Sequence, residues 1–172
     1  MPGRETAQGI FPDPLPDLAG PLRKRSRGGA KYLLTVVDDY TRKTWAIPIM
    51  LKSHVRKTLT DWAMRETTQA KALMQVLRTD RGREFVNAQM IEWCAQRGIA
   101  HEKTFQHNPQ QNGVAERHNQ LLFNNIRTQL FWSGLPVSFW AEAAIAAADI
   151  LNHWPRSALD GGTPTGKWTG DA

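Results

Sequence analysis

Two carboxylates stand at points where the chain must change direction. Asp80 follows the apolar run "ALMQVLRT", and Glu116 lies in "NPQQNGVAERHNQ", behind Gly113 and beside Arg117 and His118. Thirty-five residues separate the two acids, enough for a helix, a strand and a loop, the unit that returns a chain to the same rim of a sheet. Held about 4 Å apart, two such charges repel by roughly 4 kcal/mol at an effective dielectric of 20. A hard divalent cation offsets that repulsion, and Mg²⁺ typically takes one or two carboxylates while keeping waters and phosphate oxygens. The bland alternative for Glu116 is a surface acid in the first turn of a helix, where the dipole contributes up to about 1 kcal/mol.

The elements around these acids are readable from periodicity. "KYLLTVVDDYTRKTWAIPIM" (31–50) is rich in β-branched and aromatic residues on either side of a polar centre, the pattern of a hairpin, with Pro48 marking an edge or irregular end of its second strand. A helix is predicted over 53–69, with Ser53 as N-cap and Val55, Leu59, Trp62 and Met64 on or near one side. The nearly continuous apolar run 72–78 predicts a central strand covered on both faces. A helix over 87–99 has Asn87 as cap and Gly98 as stop, and a short strand follows at 100–105. "NPQQNG" reads as a mobile polar loop leading into a helix of about 114–132. That helix places Leu122, Ile126 and Leu130 on a buried stripe and Glu116, Gln120 and Arg127 on a polar one. A last helix spans about 137–153, with Trp140 in its core. The tail 156–172 carries turn residues without periodicity, and residues 1–16, with three prolines in "GIFPDPLP", read as mostly irregular. The order predicts one α/β domain over 17–155, a mixed sheet with helices on both faces.

Composition narrows the class. At 172 residues the chain can bury a real core, and 41% apolar with 22% charged residues is ordinary for a soluble globular protein. No apolar run approaches a membrane span and the N-terminus lacks the apolar centre of a secretory signal, so a soluble intracellular protein is expected. The single cysteine, Cys94, excludes an internal disulfide and a cysteine-rich zinc site, and its amphipathic setting predicts a buried small hydrophobe. The net charge of +6 favours an acidic polymer as partner, nucleic acid first. The basic connector "RKRSRGGAK" (23–31) leaves three readings open: a solvated hairpin loop, a contact to the DNA backbone, or a nuclear-import signal.

"TDRGREF" and "NPQQNGVAERHN", at their separation, resemble the second aspartate and the glutamate of retroviral-type integrases, and "KYLLTVVDDYTRKTW" with "GLPVSFWAEA" resembles the copia-type retrotransposon branch. The resemblance implies a ribonuclease-H-like fold, a DDE triad holding two Mg²⁺ or Mn²⁺ ions, and 3′-end processing and strand transfer of DNA. It also implies a fragment of a larger polyprotein, a homo-oligomer, and work in the nucleus on element ends and target DNA. The family's first acid precedes a "GP" pair, which matches "PDLAGP" and makes Asp17 the partner of Asp80 and Glu116 as catalytic residues and metal ligands. Asp13, Asp38 and Asp39 are rivals, although adjacent strand residues point to opposite faces, so only one of the last two can face a metal pair. Lys31, Asn112, Arg117 and Arg127 are the candidate nucleic-acid contacts, with Arg42 and Lys43 behind them; His118 shares with Arg117 the choice between positioning phosphates and plain surface exposure. Arg81 and Arg83 depart from the family's usual "DNGGEF", and His118 and Gln120 from its "ERKNR". An inactive, DNA- or protein-binding remnant and a ribonuclease-H-type nuclease are the competing readings.

Overall fold

A computed structural model describes residues 10–11, 14–70, 73–103 and 109–170, with the side chains of 14–70, 73–103 and 116–170. The strand with the strongest β signal lies at the centre. β3 (Tyr32–Asp38) is buried at every position from Leu33 to Asp38, because both its faces are covered. It pairs antiparallel with β4 (Thr44–Ile49) across the polar "DDYTRK" turn, and on its other edge with β2 (Pro14–Ala19). β6 (Val76–Thr79) lies beside β2 and pairs parallel with β7 (Ala100–Lys103), while β1 (Ile10–Phe11) and β5 (Leu73–Met74) form a further parallel pair.

β2 corrects the expectation of an irregular N-terminal segment. Pro14 and Pro16 lie inside the strand, yet its ladder to β3 runs unbroken from Pro14↔Asp38 to Ala19↔Leu33. Two prolines two residues apart lack their N–H donors on the same edge of a strand, so the opposite edge can still pair. The unbroken ladder puts the missing donors on the edge away from β3. The apolar run 72–78 is a second correction. It is broken at Gln75, Leu73 is 76% exposed, and β6 alternates half-buried with buried residues instead of being covered throughout.

Helices cover both faces of the sheet. Leu34 and Val36 join a core with Val55, Leu59 and Trp62 of α1 (Val55–Ala70) and Met90 and Cys94 of α2 (Ala88–Gln96). Leu33, of opposite parity, joins Leu122 and Ile126 of α3 (Pro109–Ser133) and Ala144, Ala147 and Leu151 of α4 (Trp140–His153). Burying side chains such as the fully enclosed Trp62 and Leu122 stabilises the fold by about 1.5–3 kcal/mol each. The caps agree with the sequence at α2, where Asn87 Oδ1 accepts from the Met90 N–H at 2.9 Å and Gly98 takes a positive φ of 65°. At α1 they do not: Ser53 sits in a 3-10 turn, Lys52–His54, without a side-chain cap, and Met64 is exposed. The tail also holds a short helix, α5 (Pro164–Thr169), capped by Thr163 Oγ1 accepting from Gly166 N–H at 3.0 Å and docked through Trp168, edge-on to Trp45 at 5.1 Å. Among the described residues no helix is long and apolar enough to cross a membrane.

Candidate active site

The parity of β2 decides which acid reaches the α3 face. Asp17 stands opposite Thr35, and directly opposed residues share a face of the sheet. Thr35 has the parity of Leu33, so Asp17 emerges under α3. There Asn119 Nδ2 donates to Asp17 Oδ2 at 2.6 Å, and Thr35 Oγ1 donates to Asn119 Oδ1 at 2.9 Å. Asn119 follows Glu116 by three positions and so shares its side of the helix. Asp17, Glu116, Asn119, Gln120, Phe123, Asn124 and Arg127 line one open cavity of about 500 Å³.

Asp80 enters from the neighbouring strand. It is exposed directly past the end of β6, and its Oδ1 accepts from the Gly82 N–H at 2.8 Å. Gly82 is required by close approach, because a Cβ there would stand 2.8 Å from both Asp80 Oδ1 and Glu84 Cδ. Glu84, absent from the sequence-based candidates, is held 3.3 Å from Lys52 Nζ. The signal for it was its place four residues past Asp80 on the same tight exit. The Asp17 carboxyl responds to all of this. Its pKa is raised above the ordinary value, first by burial and then by the negative charges of Asp80, Glu84 and Glu116, against the lowering effect of the Leu18 backbone N–H.

These oxygen donors are hard and anionic, the chemistry that Mg²⁺ and Mn²⁺ select. The acids are nevertheless held apart by separate partners: Asn119 for Asp17, the Gly82 amide for Asp80, Lys52 for Glu84. Among the described residues no three His, Cys, Asp or Glu side chains are drawn together into a chelating group. The donor set fits a divalent ion in charge and type, with Asp17 acted on by acids from the β6 exit and from α3.

The rival first acids have structural work. Asp38 has the parity of Leu34 and Val36, which faces the other core, and its Oδ2 accepts from the Thr41 N–H at 2.7 Å and from the Thr41 hydroxyl. Asp39 pairs with Arg42 at 2.6 Å and approaches Arg78 at 3.9 Å. Asp13 lies outside the described residues.

The candidate nucleic-acid contacts divide. Arg127 lines the cavity; Arg117, exposed on α3, is not among the lining residues. Lys31 precedes β3, with its N–H on Ile49 O at 2.9 Å, and is likewise not among them. Asn112 is on α3, and its side chain lies outside the described residues. Lys43 is taken up over the rings of Trp45 and Trp168, at 5.2 and 4.9 Å. His118 reverses both readings of it. It is 8% exposed with Nδ1 3.4 Å from Thr44 Oγ1, and its pKa falls to about 4 through burial and then the nearby Arg156 and Arg42 charges.

The segment "NPQQNG" is not a loop throughout: α3 begins at Pro109. Proline suits a first helical position, where its missing N–H would be unpaired anyway and its φ is already helical. Glu116 therefore sits well past the first turn, beyond the reach of the dipole effect, which removes the bland account of this acid.

Residues 17–109 match the family described as the integrase core domain. The chain is 35% identical over 153 residues to the retrovirus-related Pol polyprotein from transposon TNT 1-94 of Nicotiana tabacum, covering 89% of this chain and 12% of that one. It is 28% identical over 145 residues to the corresponding polyprotein from transposon RE1 of Arabidopsis thaliana, covering 84% of this chain and 10% of that one. The chain thus spans about a tenth of the length of these relatives. Among solved structures it superposes on the simian T-cell lymphotropic virus intasome in complex with PP2A regulatory subunit B56 gamma, with a TM-score of 0.71 at 16% identity over 95% of this chain and 56% of that one. It also superposes on the HTLV-2 integrase catalytic core domain in complex with magnesium (trimeric form), with a TM-score of 0.66 at 18% identity over 91% and 95% of the two chains. The fold is the ribonuclease-H-like one of retroviral integrase cores, and the chain belongs to the integrase core domain family.

Proposed function

We propose that this chain is the catalytic core of a retrotransposon integrase, cutting and joining DNA with Asp17, Asp80 and Glu116 as the ligands of two Mg²⁺ or Mn²⁺ ions. The observation that carries the reading is the open cavity that Asp17 and Glu116 line together, with the charges of Asp80 and Glu84 from the β6 exit also acting on the Asp17 carboxyl. Structural tension of this kind has a use when cations relieve it. Bound ions would activate a water or 3′-hydroxyl for in-line attack on a phosphodiester and stabilise the leaving oxygen.

The chain's own residues have distinct parts. Asp17 is the central donor, and the Thr35–Asn119 relay fixes the orientation of its carboxylate. Asp80 and Glu116 flank it from β6 and α3. Arg127, at the far end of the cavity lining, offers a guanidinium to a backbone phosphate. The magnesium-bound core and the DNA assembly named among the structural neighbours support a divalent cofactor, DNA as partner and a homo-oligomer. Element ends and target DNA in the nucleus are the substrates and setting that follow.

One observation favours the second reading, a non-catalytic core that keeps the fold and binds DNA: the absence, among the described residues, of three acids gathered into a chelating group. Disintegration of a branched DNA by the full chain in Mn²⁺ separates the two. The integrase reading expects cleavage and rejoining that Asp80→Asn reduces at least about a hundredfold, the scale on which one transition-state contact is lost. No product from the wild type supports the remnant, and equal product from both proteins removes Asp80 from the catalytic set.

A further inference from the structure

The basic connector between β2 and β3 takes no part in the carboxylate site, yet it is built as carefully. Leu22 N–H donates to Lys31 O at 2.8 Å and closes its base. Ser26 is buried, with its N–H on Ala30 O and its Oγ accepting from the Ala30 N–H, both at 2.9 Å. Two further bonds tie the loop to the turn before α4 and to its first residue: Arg27 N–H to Ser138 O at 2.8 Å, and Trp140 Nε1 to Lys24 O at 2.9 Å. The Arg27 guanidinium lies over the Phe139 ring, 4.8 Å from its centroid. The side chains of Arg23, Lys24, Arg25 and Arg27 are exposed, and none has a carboxylate partner among the described residues.

That construction decides between the readings the sequence leaves open. A free solvated loop does not anchor its backbone to residues of a helical segment more than 100 positions along the chain. A receptor that reads a short basic peptide takes it extended, with backbone groups available, and here the amides of 22, 26, 27, 29 and 30 are engaged within the fold. A duplex needs only side-chain cations on a fixed support, since its phosphates present one charge per roughly 1.7 Å of axis. Rigid support also lowers the entropy lost on binding. Reach agrees: Arg23 follows Asp17 by six residues, at most about 20 Å of extended chain, less than the roughly 34 Å of one duplex turn.

We propose that Arg23, Lys24, Arg25 and Arg27 form a preorganised phosphate-binding face for double-stranded DNA, separate from the carboxylate site. The assignment rests on the reading of DNA as this chain's partner, and it requires no metal. The test is duplex binding by the full chain in EDTA, followed by fluorescence anisotropy across a salt series. Lys24→Gln and the triple variant Arg23→Gln/Lys24→Gln/Arg25→Gln are compared with wild type, and thermal melts confirm that each is folded. Lys24 meets Trp140 only through its carbonyl, so the single variant keeps the anchor.

The expected result is a shallower dependence of log K on log salt, by roughly one unit per cation removed, three in the triple variant. An unchanged slope and affinity in the triple variant overturns the proposal. So does polyglutamate of matched charge binding as tightly as the duplex, which reassigns the face to acidic polypeptides. Failure here with metal-dependent disintegration intact leaves the catalytic reading standing. Loop-dependent binding without any disintegration by the wild type does the reverse.

Discussion

The two sides of α3 solve opposite problems with similar residues. On the side turned to the cavity, Asn119 donates to Asp17, Glu116 lines the same cavity, and acids from the β6 exit and from α3 act on one carboxyl. On the buried side, two positions away, His118 meets Thr44, whose backbone is clamped by Asn152: the Thr44 N–H donates to Oδ1 and Nδ2 donates to Thr44 O, each at 2.8 Å. The second group is a polar network enclosed by protein and matched donor to acceptor. The first leaves like charges unresolved beside an open cavity. The satisfied network serves stability, and the proposed chemistry belongs to the unsatisfied one, because only the latter has something to gain from an added cation.

Breaking the satisfied side has the largest effect on stability. Asn152→Ala strands a buried N–H and a buried C=O on β4, and at 1–3 kcal/mol for each unpaired group the cost is about 4 kcal/mol. Urea denaturation at pH 7 measures it; a cost near zero would mean that the clamp is ornamental. His118 supplies the next test. Its folded pKa of about 4 lies below the ordinary 6.5, so the unfolded chain takes the proton first. Its contribution is therefore complete above pH 6.5 and is lost as pH falls toward 4, about 3 kcal/mol in all. Denaturation curves of wild type and His118→Gln between pH 7 and 4 should converge as pH falls, because the glutamine does not titrate.

The cavity side gives the smallest change, with the opposite sign. Asp17 has a raised folded pKa, so its ionisation at neutral pH works against the fold; that opposition fades as pH falls through the raised value toward the ordinary 3.8. Asp17→Asn keeps an acceptor for Asn119 and removes the repulsion. Without metal at pH 7 it should raise Tm, read by a thermal melt. A lower Tm would show that the carboxylate is held for stability.

The asymmetry also explains what could be read from the chain beforehand. Asp80 was legible because a strand run, an acid and a glycine occur in order, and Asn87 and Gly98 because caps are local. Asp17 was reached only through family resemblance, since "GIFPDPLP" obscures the strand that carries it. Whether two prolines spoil a strand depends on which edge pairs, a tertiary fact. The start of α3 was misplaced because the polar residues of "NPQQNG" outweighed Pro109 as a first-turn signal. Similarly, "GGTPTGKW" hid a Thr163 cap followed by Pro164. His118 sits between Arg117 and Asn119 in a polar stretch, and what encloses it is distant in the chain, with its partner Thr44 74 residues away. The Thr35–Asn119 relay depends on a contact between the sheet and α3 that no local pattern specifies.

Calorimetric titration of Mn²⁺ into the metal-free wild type and into Asp17→Asn puts the convergence of the acids to the most direct test. Saturable uptake approaching two ions per chain, weakened at least about tenfold by the substitution, is the result expected of carboxylates that repel one another until cations arrive. No saturable heat from the wild type, or the same isotherm from both proteins, would mean that Asp17, Asp80 and Glu116 do not act together.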